Sequence, residues 1–364
     1  MSVPRRPRRA FRFAPCALAA AAALAFAAAG SAPRSSSARP LVATVSIVAV
    51  DPANGDLGVA VQSKFPNVRA VVPWARAGVG AVATQSFARL DYASDGLELM
   101  ARGASAREAL DILLRRDPGR EQRQVGMVDA RGGAATWTGR ECFPWAGARI
   151  GQPGWGPSAV GPGEAVAGTG YTAQGNILVS AETVAAMARA FEAAKGELAD
   201  RLMAALVAGG RAGGDRRGEQ SAALLVVRKG AGYDGSDAIA DLSVYDHETP
   251  IAELERLYHL NRLYFTGSKP ENLIPVTAEI ARELQEIWRA RGFWEGEPDG
   301  VVDARFQKVL VDYMGWENYD LRIAPVEAVD LEKGQDLVID REVLEDIRAV
   351  FASGRWKPRG PDPR

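Results

Sequence analysis

The stretch that most limits what this chain can fold into runs from Thr44 to Ser86, TVSIVAVDPANGDLGVAVQSK followed by FPNVRAVVPWARAGVGAVATQS. Apolar and polar positions alternate over residues 44–50 and again over 57–62, the two-residue period of half-buried strands. Between them Asp51-Pro-Ala-Asn-Gly55 supplies the proline and the Asn-Gly pair that a tight turn needs, so the two runs predict a hairpin. Residues 70–74 and 78–84 read as two further strands, whose glycines permit close backbone approach.

Helices follow. The first is expected from about Ser94 to Gly103. The second opens on Ser105-x-x-Glu108, a capping box, with Ala109, Ile112 and Leu113 on one face. Residues 124–129 and 134–138 predict a second hairpin around Arg131-Gly-Gly133. Residues 145–170, rich in Gly, Pro and Trp, read as a long loop. Helices are expected over 181–194, capped by Ser180, and over 197–208. A Gly-rich turn at 209–218 then leads to strands at 222–228 and 239–245. Strands, a helix pair, strands, a helix pair and strands again predict an α+β fold, and a four-layer αββα sandwich fits that order. A break falls at 266–275. Beyond it, 276–352 reads as a small helical unit with helices near 277–291 and 303–313, and 353–364 as a disordered tail.

The first 43 residues are set apart. Arg5, Arg6, Arg8, Arg9 and Arg12 precede an Ala-rich run over 14–29 that is too short for a stable membrane span and is followed by small residues, the pattern of a signal peptide. Cleavage is expected after Ala32 or Ala43, with 33–40 as spacer, so the mature protein is expected to be exported to the periplasm or beyond. The chain is formally −1, and seven arginines and no acids lie in residues 1–43, so residues 44–364 carry −8. That balance argues against a nucleic-acid partner, which calls for a basic surface. Of the two cysteines, Cys16 falls in the signal segment. Cys142 is then alone, and with His247 and His259 it forms no ligand cluster, so neither a disulfide, a metal nor a cofactor is expected.

A threonine opening the first strand, just past a cleavable segment, is the pattern of an enzyme whose freed α-amine activates its own side chain. Thr44 is the candidate nucleophile, and Ser46, on the same face, is its rival. Lys64 would favour the alkoxide and keep the amine neutral. In Gly168-Thr-Gly-Tyr-Thr-Ala-Gln-Gly-Asn176, read as a Gly-rich bend, Asn176 and exposed N–H groups would hold an oxyanion. Asp215 and Ser221, in the polar run 213–221, would orient the amine, although an ion pair between Asp215 and Arg217 accounts for that run equally well. Gln62, Ser63, Gln85 and Gln174 are expected to contact the substrate. Cys142 reads as a small buried residue.

Residues 44–265 resemble DUF1028, a bacterial family placed in the Ntn-hydrolase superfamily. The resemblance rests on TVSIVAVDPANGDLGVAVQSKF, VVPWARAGVGAVATQ, DPGREQRQVGMVDARG, TGRECFPWAG, YTAQGNIL and GGDRRGEQSAALLVVR. It implies the αββα fold, hydrolysis of an amide substrate and Thr44 in the nucleophile position. Relative to proteasome-like members of that superfamily, Gln62 stands where an acid ends the second strand, and Arg69-Ala70 stand near the position of the third-strand lysine. The C-terminal unit is similar to a peptidoglycan-binding domain, through Ile280-Ala-Arg-Glu-Leu-Gln285, Gly292-Phe-Trp-Glu-Gly-Glu-Pro-Asp-Gly300 and Phe306-Gln307. Two readings stay open: an exported amidohydrolase, or a non-catalytic protein on the same scaffold that binds a ligand or the cell wall. A homo-oligomer is compatible with either.

Overall fold

The structure is a computed structural model that describes residues 44–152 and 155–359, with backbone alone at residues 155–157. The signal segment and spacer expected at 1–43, with Cys16, and residues 360–364 of the expected tail lie outside the described residues.

Strands β1 (Thr44–Asp51) and β2 (Asp56–Ser63) form the predicted hairpin, in register from Thr44 opposite Ser63 to Asp51 opposite Asp56. The turn closes because Asp51 Oδ1 accepts the Ala53 N–H and Asn54 Oδ1 accepts the Asp56 N–H, each at 2.9 Å, while Gly55 takes φ 82°. Next come β3 (Pro73–Arg76), β4 (Gly80–Ser86), α1 (Asp91–Ala101) and α2 (Ala106–Arg116). The capping box on α2 is present, Ser105 and Glu108 each satisfying the other's N–H. The expected strand at 70–74 is displaced. A 3-10 turn occupies Val68–Ala70 and β3 begins at Pro73, a residue tolerated there because β3 is an edge strand.

The second hairpin is β5 (Arg123–Asp129) and β6 (Gly133–Thr138). The expected loop at 145–170 is instead three strands, β7 (Gly147–Gln152), β8 (Trp155–Val160) and β9 (Ala165–Thr169). Gly163 and Gly170 take positive φ where the chain turns, but Gly151 and Gly168 serve close approach of strands. A Cβ on Gly151 would come within 2.3 Å of the Thr169 carbonyl oxygen, and one on Gly168 within 2.3 Å of the Gly151 oxygen. The expected bend at 168–176 is largely strand β10 (Tyr171–Asn176). Helices α3 (Glu182–Ala193) and α4 (Leu198–Arg211) and strands β11 (Ser221–Val227) and β12 (Ala238–Val244) fall where predicted. Ser180 Oγ accepts the Glu182 N–H at 3.2 Å at the start of α3.

Strand order is β12-β11-β2-β1-β10-β7-β8 in one sheet and β3-β4-β5-β6-β9 in the other. The strands of β1 show how the layers stack. Val45, Ile47 and Ala49 are buried with Met187, Leu198 and Leu202 of α3 and α4, whereas Val48 and Val50 are buried with Ala81, Ala83 and Val128 of the second sheet. Helices α1 and α2 cover the far face of the five-stranded sheet, where Leu97 and Leu110 meet Val125 and Met127. The order helix, sheet, sheet, helix is the predicted αββα sandwich.

Helix α5 (Pro250–Phe265), not anticipated from the sequence, runs from this sandwich into the C-terminal residues. There follow β13 (Leu273–Pro275), α6 (Ala278–Arg291), α7 (Ala304–Trp316), the one-turn α8 (Ala324–Glu327), β14 (Val338–Asp340) and α9 (Arg341–Ala352). Trp288, Phe306 and Tyr313 centre a separate apolar cluster. Residues 353–359, expected as disordered tail, are folded back. Trp356 stacks on Phe351 at 5.3 Å, and the Arg359 N–H donates to the Arg291 carbonyl at 2.7 Å. Among the described residues no helix is long and apolar enough to cross a membrane.

Candidate active site at the first residue of the first strand

Antiparallel register places four polar residues in one row across the end of the seven-stranded sheet. Ser221 of β11 lies opposite Ser63 of β2, Ser63 opposite Thr44 of β1, and Thr44 opposite Asn176 of β10. Directly opposed residues of antiparallel strands point to the same face. Thr44 shares its face with Ser46, Val48 and Val50, so the row looks toward the second sheet. Thr44 Oγ1 and Ser63 Oγ are 3.1 Å apart and share a buried hydrogen bond. Thr44 follows Ala43, so in the uncut chain its nitrogen is an amide.

Beneath the row, hydroxyls and carboxamides fill the space between the sheets. Ser46 Oγ donates to Gln85 Oε1 at 2.6 Å and accepts from Gln174 Nε2 at 2.7 Å. Gln85 Nε2 reaches the Thr44 carbonyl at 3.2 Å and Gln124 Oε1 at 2.9 Å. Asn176 Nδ2 donates to the same Gln124 oxygen at 3.0 Å, and Gln124 Nε2 donates to Thr138 Oγ1 at 2.9 Å and the Gly175 carbonyl at 2.8 Å. Gly126 in β5 makes the room, since a Cβ there would come within 2.3 Å of Gln174 Oε1. Buried carboxamides so paired are rigid, because any loosened partner would leave an amide unsatisfied in an apolar surround. The two candidate hydroxyls differ in their surroundings. Ser46 is committed inside the network, whereas Thr44 is at the strand end with one hydroxyl neighbour.

The remaining expected site residues divide. Ser63 is at Thr44, and Gln85 and Gln174 brace the space between the sheets; like Thr44 and Asn176, all three are buried. Gln62 is on the opposite face of β2, opposite Val45, toward the helices; its carboxamide lies beside Gly214 and makes no hydrogen bond within the described residues. Lys64 does not serve Thr44. Its Nζ donates to the Glu219 carbonyl at 3.1 Å, in an exposed cleft of about 470 Å³ shared with Gln220, Asp246 and His247. There burial, aided by the Asp215 charge, pushes the Glu219 carboxyl above its ordinary range. Asp215 forms the ion pair with Arg217 at 3.1 Å that the sequence offered as its alternative reading, and accepts the Lys64 N–H at 3.2 Å. Ser221 Oγ donates to the Phe65 carbonyl at 2.5 Å and accepts the Val68 N–H at 3.1 Å, so it holds a loop, not an amine.

The loop carrying Asp215 nevertheless braces the site. Arg216 N–H donates to the Ile177 carbonyl at 2.9 Å, Val179 N–H to the Gly214 carbonyl at 3.2 Å, and Gln220 N–H to the Ser63 carbonyl at 3.1 Å. It thus ties together the ends of β2 and β10, the two strands flanking Thr44. Backbone strain collects at the same end. Asn67, Ser86 and Ile177 take φ of 50°, 68° and 53°, and Ile177 is β-branched, for which that region is costly. Such outliers gather where function fixes a geometry. Sequence reasoning missed Gln124, Thr138 and Thr172. Their signal was present, as polar residues at strand positions that should be apolar, but it acquires meaning only once the two sheets face each other.

Cys142 is buried as expected, its Sγ 3.4 Å from the Arg123 carbonyl, and burial raises its thiol above the ordinary range. His247 Nδ1 accepts the Thr249 N–H at 3.0 Å, local turn chemistry.

A family model described as "Family of unknown function (DUF1028)" matches residues 44–154 and 155–254. Among solved structures, the chain is similar to protein SPO2555 from Silicibacter pomeroyi, whose crystal structure is described with the same family model. The two are 28% identical over 60% of this chain and 86% of the other, with a TM-score of 0.51. No curated protein matches.

Proposed function

The chain belongs to the DUF1028 family, whose function is unknown, and from that premise we propose that it is an exported amide hydrolase of the N-terminal-nucleophile type, with Thr44 as nucleophile. One observation carries the reading. Thr44 opens β1 at the strained end of the sandwich, with the Ser63 hydroxyl 3.1 Å from its own and Asn176 directly opposite. Once the peptide bond before Thr44 is cut, the freed amine can take the Oγ1 proton, directly or through Ser63. Oγ1 then adds to the amide carbonyl carbon. The resulting oxyanion is met by the Asn176 carboxamide, which has a second N–H beyond the one given to Gln124. Collapse breaks the C–N bond, the leaving amine takes the proton, and water hydrolyses the threonine ester to a carboxylic acid. Lys64 has no part in this scheme. Asp215 acts only through the strand ends it ties together.

The test is the N-terminal residue of the exported protein, read by intact-mass spectrometry. Thr44 is expected. A permanent upstream residue would leave the nitrogen an amide and remove the mechanism. A second reading, a non-catalytic binding protein, is favoured by one feature, the outward turn of Lys64. In that reading the C-terminal residues dock to peptidoglycan. Retention of the full chain on purified peptidoglycan, no greater than for an unrelated acidic protein, would end the docking part.

A further inference from the structure

A cleft of about 470 Å³ opens where β2 ends, β11 begins and β12 leads into α5, and Lys64, Glu219, Asp246, His247 and Glu248 line it. Backbone hydrogen bonds fix its frame. The Gln220 N–H donates to the Ser63 carbonyl at 3.1 Å, the His247 N–H to the Gln220 carbonyl at 2.8 Å, and the Asn67 N–H to the Tyr245 carbonyl at 2.8 Å.

Charges of both signs face this cleft without closing on one another. Lys64 Nζ donates to the Glu219 carbonyl, and no carboxylate pairs with it among the described residues. Glu219 is half-buried, and its carboxyl has neither a hydrogen bond nor an ion pair among those residues. Burial and the Asp215 charge hold that carboxyl above its ordinary range, while Asp215 itself is taken by Arg217. Asp246 and Glu248 are exposed and also unpaired among the described residues. His247 accepts the Thr249 N–H on Nδ1 at 3.0 Å, so its neutral ring carries the proton on Nε2 and offers it as a donor. Glu253, a further acid near His247, is taken by Arg256 at 2.6 Å. In another cleft, beside α5, opposed charges do meet, with Arg262 3.6 Å from Asp200.

This arrangement is the complement of a small zwitterion. A bare anion would meet Glu219, Asp246 and Glu248, and a bare cation would meet Lys64, so each is repelled by charges of its own sign. A molecule that carries both charges answers both sets. Its carboxylate would accept from Lys64 Nζ and His247 Nε2. Its ammonium would donate to the Glu219 carboxylate and supply the counter-charge that this half-buried group lacks.

We propose that this cleft binds a small zwitterion with a primary ammonium and a carboxylate, a free amino acid or a dipeptide, held between Lys64 and Glu219. The assignment does not rest on Thr44 as the reacting residue.

The test is titration calorimetry of the exported protein at neutral pH and low salt with alanyl-alanine, N-acetyl-alanyl-alanine and alanyl-alaninamide. The dipeptide carries both charges and each blocked form lacks one. The dipeptide is expected to bind about tenfold or more tighter than either blocked form, the scale of one hydrogen bond to a charged group. Glu219→Gln should erase its advantage over the acetylated form, and Lys64→Met its advantage over the amide. Lys64→Arg, which keeps the charge, should retain that advantage. Urea midpoints check that the variants fold, and the comparison of the three ligands needs no variant. The proposal is overturned if the dipeptide gives no binding, or if either blocked form binds as tightly. A dipeptide affinity unmoved by both Glu219→Gln and Lys64→Met also overturns it. So does an affinity lost in Thr44→Ala, which would put the ligand at the first strand instead.

Discussion

At the scale of single residues, the charged group that matters most to the site touches none of its polar network. Asp117 and Arg123 have side chains 3% and 6% exposed, and their pair is joined by Arg89 at 3.1 Å. Burial opposes ionisation of Asp117, but the Arg123 hydrogen bond and the Gly119 N–H outweigh it, and the carboxyl is held below its ordinary range. A carboxylate depressed in the folded state stabilises that state fully above the unfolded pKa of about 3.9 and loses the contribution as pH falls through the folded value. Asp117→Asn is expected to cost about 3 kcal/mol at neutral pH, because it leaves Arg123 buried without its counter-charge. The difference from wild type in urea midpoint should stay constant above about pH 5 and shrink below about pH 4. A difference independent of pH would show that the ionised carboxylate is not its source. Since Arg123 also holds the Phe87 carbonyl, the same variant should loosen the loop after β4.

At the scale of elements, what the sequence disclosed and what it hid have physical reasons. The hairpins of β1–β2 and β5–β6 and the capped start of α2 were legible because turn residues at 51–55 and 131–133 between short apolar-rich runs, and a capping box, are local signals, even though the strands are buried on both faces rather than half-buried. The 145–170 segment was not, because glycine means either a turn or close approach, and only the facing sheet tells which. Helix α5 went unread because its apolar positions serve two surfaces in turn: Ile251, Leu254 and Tyr258 meet the sandwich and Leu263 meets the C-terminal cluster. Of the candidate site, Thr44 and Ser63 were singled out near strand ends, whereas Asn176 was read in a bend that is strand β10. The outward turn of Lys64 and the bracing part of Asp215 depend on the long-range path of residues 214–221. Gly126 gives a prediction at this scale. Gly126→Ala puts a methyl group into the Gln174 carboxamide and must displace it from Ser46 or Thr172. Overpacking of this kind costs about 1–3 kcal/mol. A thermal midpoint equal to wild type would mean that the Gln network yields freely, and the rigidity argued for it would be wrong.

At the scale of the molecule, α5 decides whether the sandwich and the C-terminal cluster behave as one body. Arg262 on its last turns reaches Asp200 of α4 at 3.6 Å and Glu342 of α9 at 3.4 Å, one cation between the two halves. Arg322, 2% exposed, pairs with the buried Asp340 at 2.5 Å and with Glu342 at 3.1 Å, and donates to the Arg262 carbonyl at 2.9 Å, closing the C-terminal end of α5. Tyr264 adds a stacked contact with Tyr319 at 5.4 Å and a hydrogen bond to Asp346 at 3.2 Å. An apolar residue of the helix in each core, joined by buried charge pairing, predicts that neither half melts before the other. Calorimetry of the wild type should therefore show a single transition. Arg322→Ala leaves the buried Asp340 without its counter-charge, a loss of about 3–5 kcal/mol for a buried pair broken on one side. Because the loss falls on one side of α5, the variant should melt in two steps, with the tryptophan fluorescence of the cluster around Trp288 changing first. Two transitions in the wild type would show that α5 is only a tether. In that case anything bound by the C-terminal residues would leave the orientation of Thr44 free, whereas a rigid α5 carries the site at a fixed attitude to whatever those residues hold.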